Sequence, residues 1–253
     1  MKVHSGIHKI LLLPVYYLIH YNYFFGLVHK HLFKDFNYKK LNFKLNIDNI
    51  PIQTRSSFLF KTYEYNDKKL IEKYITKKNR CIIIGGGIGF IPVLAYHKSK
   101  NKILVFEINN AIIKNLKTNL TNNKCSYKIL KNNLKIKEKK KYSNFYISKN
   151  FLISSKYLKS SENIKVKNIN TNNVQGFKKF NTIIVDGEGI EEYFINNLHQ
   201  LKNIDYLIFE LHHNLFSENK IKKMFQQLKK NNFLKAGKCF NSFYFVRKNK
   251  NIK

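Results

Sequence analysis

Apolar residues recur along this chain in short runs that stop at a glycine or a carboxylate. CIII at 81–84 breaks into GGGIGF, ILVF at 103–106 stops at Glu107, TIIV at 182–185 stops at Asp186, and YLIF at 206–209 stops at Glu210. Runs of four such residues with no polar alternation predict strands buried on both faces, as in a parallel sheet. Between them the spacing turns helical. Ile112, Leu116 and Leu120 share one face, as do Phe194, Leu198 and Leu201, and Met224, Phe225 and Leu228. Pro92 falls in the first turn of the helix after the glycines, where a missing N–H is tolerated. Cys125–Leu130 predicts a third strand. The Lys-rich stretch 131–143 reads as a loop, and FYIS and IKVKNI within 144–170 read as strand-like pieces of an insertion. NFLKAGK and NSFYFVRK predict a closing hairpin.

The expected order is five βα units followed by two strands, with all parallel strand ends on one rim. Ahead of it, Asp67 predicts a helix N-cap, with Leu70, Ile71, Tyr74 and Ile75 following at helical spacing. LNFKLNI, PIQTR and SFLFK between 35 and 62 alternate enough to suggest short strands. The run 10–28 contains no Lys, Arg, Asp or Glu, yet it includes Pro14, His20, Asn22 and Gly26. It reads as a packed N-terminal helix, with an aromatic interfacial anchor touching a membrane as the sharper reading. The expected organisation is an N-terminal helical and β extension, 1–62, and an α/β domain, 63–253.

The glycine spacing narrows the ligand. A dinucleotide fingerprint from Gly85 would need glycine at Phe90, so GxGxxG is absent. Gly85, Gly87 and Gly89 instead form GxGxG, with Gly86 inside it. This resembles the S-adenosylmethionine loop of class I methyltransferases. Glu107, eighteen residues beyond Gly89, ends the next strand, where a carboxylate can accept from two ribose hydroxyls.

Charge changes the picture less than its size suggests. The chain carries 47 basic and 15 acidic residues, a formal +32, but all of the basic residues except Arg55, Arg80 and Arg247 are lysine. Phosphate and base recognition leans on the arginine fork. Diffuse lysine beside abundant Asn and Ile fits A/T-rich codon usage better than a dedicated nucleic-acid surface. A nucleic-acid partner is therefore allowed but not favoured. Three separated cysteines, Cys81, Cys125 and Cys239, form no CxxC pair. They argue against a disulfide framework or zinc site and for a reducing, cytoplasmic compartment, with membrane association only through 10–28.

Asp186-Gly187-Glu188-Gly189-Ile190-Glu191 is similar to the D-x-E-G-x-E motif of the FkbM family of S-adenosylmethionine-dependent methyltransferases. Tyr63-Glu64 and Tyr206–Leu211 also resemble family segments, and the resemblance runs from about Tyr63 to Arg247. Ile83, Gly87 and Ile108 stand where the family usually has an acidic residue, Asn and Pro. The resemblance implies a Rossmann-like class I methyltransferase fold: a seven-stranded, mostly parallel sheet with helices on both faces and one antiparallel strand near an edge. It implies S-adenosyl-L-methionine as cofactor, held by Gly85, Gly86, Gly87, Gly89, Glu107, Ile108 and Asp186, and O-methylation of a sugar, glycan or glycolipid. Asp186 and Glu188, two residues apart, are candidate bases or substrate holders, with His213 or His212 as alternatives. No metal is assigned. The rival readings are an RNA methyltransferase and a non-catalytic binding protein on the same fold.

Overall fold

The computed structural model describes residues 23–33, 35–45, 50–147, 154–155, 162–187, 189–213 and 215–248. The chain divides into two compact units, 1–65 and 66–253.

The first unit contains helix α1 (Tyr23–Leu32), the hairpin β1 (Asp35–Tyr38) and β2 (Leu41–Lys44), and helix α2 (Ile52–Leu59). Its core is aromatic. Phe36 stacks on Phe43 at 5.6 Å, and Phe58 packs between Phe36 and Tyr63. Gly26 lets α1 approach α2 closely, because an added Cβ would lie 2.0 Å from the Ile52 carbonyl oxygen. The strands expected from PIQTR and SFLFK are in fact α2. Ser56 and Ser57 are buried within it. Their hydroxyls bond back to the carbonyls of Gln53 and Thr54, as helical seryl groups do. Most of the 10–28 run lies outside the described residues. Among those described, no helix is long and apolar enough to cross a membrane.

Helix α3 (Tyr65–Tyr74) leads into the second unit. It is followed by β3 (Cys81–Ile84), α4 (Phe90–Ser99), β4 (Ile103–Phe106), α5 (Asn110–Asn122) and β5 (Tyr127–Leu130). The third crossover holds no α-helix among the described residues. A small sheet replaces it, made of β6 (Asn133–Lys135), β7 (Tyr142–Ile147), β8 (Ser154–Ser155) and β9 (Glu162–Asn170), followed by two 3₁₀ turns. The expected loop at 131–143 is thus partly strand: Asn133, Leu134 and Lys135 are buried against β9. Then come β10 (Thr182–Val185), α6 (Glu191–Asn197), β11 (Tyr206–Glu210), α7 (Glu218–Lys230), β12 (Phe233–Cys239) and β13 (Ser242–Arg247).

The main sheet has the order β12-β13-β11-β10-β3-β4-β5. Every neighbouring pair from β5 to β11 is parallel, and β13 runs antiparallel to both β11 and β12. This is the expected sheet, with one reversed strand beside an edge. One face buries Ile82, Leu104, Ile183, Leu207 and Phe245 against Phe194 of α6, Leu228 of α7, and Leu134 and Phe177 of the insertion. On the other face, α4 packs on β3 and β4, and α5 packs on α4. Burial on both faces explains why β3, β4 and β10 read as unbroken apolar runs. Strand order reverses between β3 and β10, so the crevice beyond their carboxyl ends is the topological switch point.

Candidate functional site

Glycines at the switch point are set by packing. Gly85 has φ +89°, and a Cβ there would sit 1.9 Å from the Asp186 carbonyl oxygen. A side chain at Gly86 would meet Leu116 and Val105 at 2.7 and 2.9 Å. Gly89, at φ +95°, begins α4 tight against Leu116 and Asn119 of α5. Asn119 ties the loop down by donating from Nδ2 to the Ile88 carbonyl at 2.7 Å.

Glu107 lies under that loop, 5 % exposed. Its Oε2 accepts from the N–H groups of Gly86 (2.9 Å) and Gly87 (3.1 Å), and its Oε1 accepts from Asn109 N–H (2.8 Å). Burial pushes its pKa up, and the N–H groups of Asn109, Gly87, Gly86 and Ile108 oppose that shift. The carboxylate and the glycine loop therefore meet on one rim, as the spacing requires. Glu107 is nevertheless largely engaged by backbone. A ribose hydroxyl would have to share or displace one of these donors, whereas the sequence suggests two open positions. Ile108 is half-buried beside it.

On the other side of the switch point, β10 and β11 bring carboxylates together. Asp186 is half-buried just past β10, and its N–H bonds the Ile84 carbonyl at 3.0 Å. Ligand atoms of Asp186, Glu210 and His212 all lie within 4.8 Å of one another, as do those of Asp67, Asp186 and Glu210. Asn241 Nδ2 donates to Glu210 Oε1 at 2.6 Å, and Asn66 Nδ2 donates to Asn241 Oδ1 at 2.6 Å. Glu191, the last residue of the D-x-E-G-x-E stretch, is buried with its Oε1 2.8 Å from His212 Nδ1. Burial raises the Glu191 pKa, and the histidine opposes this.

Asp67 does not cap α3. It sits in the first turn facing inward, 1 % exposed, and neither carboxylate oxygen has a hydrogen-bond partner among the described residues. Burial first, then the Glu210 charge, pushes its pKa up to about 7. A signal was available, because Asp67 falls on the same stripe as Leu70, Ile71 and Tyr74. Of the other residues expected at the site, His213 is exposed and stands outside the cluster, and His212 occupies the place foreseen for it. Glu188 lies outside the described residues.

No family model matches the chain. No curated protein matches it either. Among solved structures, ribosomal protein L11 methylase from Lactobacillus delbrueckii subsp. bulgaricus is similar at 14% identity, over 85% of this chain and 100% of that one, with a TM-score of 0.48. M. jannaschii TYW2 in complex with AdoMet is similar at 13% identity, over 84% of this chain and 82% of that one, with a TM-score of 0.43. A protein of the NADB-Rossmann superfamily from Streptococcus agalactiae is similar at 12% identity, over 74% and 70%, with a TM-score of 0.44. Strand order and register, rather than these overlaps, place the chain among Rossmann-like α/β proteins with a mostly parallel seven-stranded sheet.

Proposed function

We propose that the chain is an S-adenosylmethionine-dependent methyltransferase acting on a hydroxyl oxygen. The observation that carries the reading is the switch point. A bare glycine turn there is braced by the carboxylate ending β4, and a carboxylate cluster stands at the ends of β10 and β11. Bound there, S-adenosylmethionine would supply an electrophilic methyl group on a sulfonium. Gly85–Gly89, Glu107 and Ile108 would seat its adenosyl end. The cluster suits an acceptor hydroxyl, which needs alignment and loss of its proton. Asp186 takes both roles in this reading, with Glu188 beside it, while Glu191 orients the His212 ring. The D-G-E-G-I-E stretch supports a sugar or glycan acceptor of the FkbM kind.

The decisive measurement is calorimetry of S-adenosylmethionine with the purified full chain. Micromolar binding that weakens by about tenfold or more in Glu107→Ala is expected. No binding at millimolar cofactor would end the reading and favour a binding protein on this fold. The +32 charge favours an RNA acceptor as a second reading. It requires methylation of RNA that survives physiological salt, where non-specific lysine contacts fade.

A further inference from the structure

Asp67 is the least explained charge in the molecule. An unpaired carboxylate removed from water is strongly unfavourable. Neither oxygen meets hydrogen-bond geometry with a donor among the described residues, and the nearby buried Ser242 hydroxyl only partly offsets the cost of burial. Its oxygens face Asp186 and Glu210, two more acidic groups. Neither the fold nor the proposed handling of cofactor and acceptor uses Asp67.

We propose that Asp67, Asp186, Glu210 and His212 form a binding site for one divalent cation of the manganese type. Three observations converge on it. The span fits within each group: a small octahedral ion holds its donors roughly 3 to 4.3 Å apart, and ligand atoms of Asp186 and Glu210 lie within 4.8 Å of Asp67 in one group and of His212 in another, so Asp67 and His212 would take opposite sides of the ion. The supports fit as well. Glu191 Oε1 at 2.8 Å suits a proton on His212 Nδ1, the arrangement in which Nε2 is the ligating nitrogen. Asn241, held by Asn66, fixes Glu210 through one oxygen. Finally, the buried unpartnered Asp67 carboxylate points into the cluster, and a cation gives it a partner. Three hard carboxylates with one imidazole suit Mn²⁺ better than Ca²⁺, which prefers oxygen throughout, or Zn²⁺, which prefers fewer and softer ligands.

A cation here would hold and polarise an acceptor oxygen, sharing with Asp186 the task of activating it. That role rests on the methyl-transfer reading, but binding of the ion does not. The test therefore uses the full chain stripped with chelator, with no cofactor or acceptor present. MnCl₂ is titrated by calorimetry, and free Mn²⁺ is followed by its electron paramagnetic resonance signal. Expected are one ion per chain, a raised melting temperature, and little heat from CaCl₂. Asp67→Asn, which removes a buried charge and should leave the metal-free protein at least as stable, weakens Mn²⁺ binding about tenfold or more. Asp186→Asn, at a half-buried position, does the same. Absence of stoichiometric binding at about 1 mM Mn²⁺ overturns the proposal, as does binding unchanged in both variants. S-adenosylmethionine affinity is read separately. Its absence alongside intact Mn²⁺ binding would remove the cofactor reading and leave the ion site standing.

Discussion

At Gly85 a single methyl group would overlap the Asp186 carbonyl oxygen, and the φ of +89° disfavours any L side chain. Gly85→Ala should therefore destabilise the protein by on the order of 3 kcal/mol, read as a lower urea midpoint with unchanged slope. In the first unit, His29 is buried beside Arg55, and its pKa is lowered to about 4, mainly by burial and then by that guanidinium. A folded histidine held neutral while the unfolded chain protonates near 6.5 loses stability on acidification. That contribution is complete above about pH 6.5 and is lost as pH falls towards about 4. Acidification through this window should cost on the order of 2 kcal/mol, absent in His29→Phe, with the ring titrating near pH 4 by NMR. Residues whose role is fixed by near neighbours were readable in advance: the glycine turn and Glu107 are eighteen positions apart and meet as the spacing requires. Asp67 was not. Locally it reads as a cap, and only strands more than a hundred residues downstream turn its surroundings acidic.

Elements bounded by the glycine turn or a capping side chain stand where the pattern places them. Asn109 accepts from Ala111 N–H at the start of α5, and Ser217 accepts from Lys220 N–H at the start of α7. The misreadings share a cause. In α2 and in the third crossover, apolar residues are too sparse to set a period, so tertiary contacts decide between helix and strand. The closing hairpin depends on Arg247, which lies over the Phe233 ring and donates to the carbonyls of Leu201, Ile204 and Asn231. A lysine cannot reproduce that fork. Arg247→Lys should lower stability by about 2 kcal/mol in urea denaturation, despite conserving charge.

Over the whole molecule, lysine dominates the basic residues, while two of the three arginines donate to backbone carbonyls. Arg80, like Arg247, donates from its guanidinium to a carbonyl, that of Lys179. The sheet itself carries a kinetic consequence. Strands β3, β4 and β5 follow one another closely in the chain and can zip together early. The central contact of β3 with β10 joins Cys81 to Thr182, a closure spanning about a hundred residues, and its entropy is paid before the two halves of the sheet can join. During refolding, amide protons of 103–106 should become protected before those of 182–185. Until that closure, the rim that gathers Gly85 and Asp186 does not exist, so ligand affinity should appear only in the last folding phase.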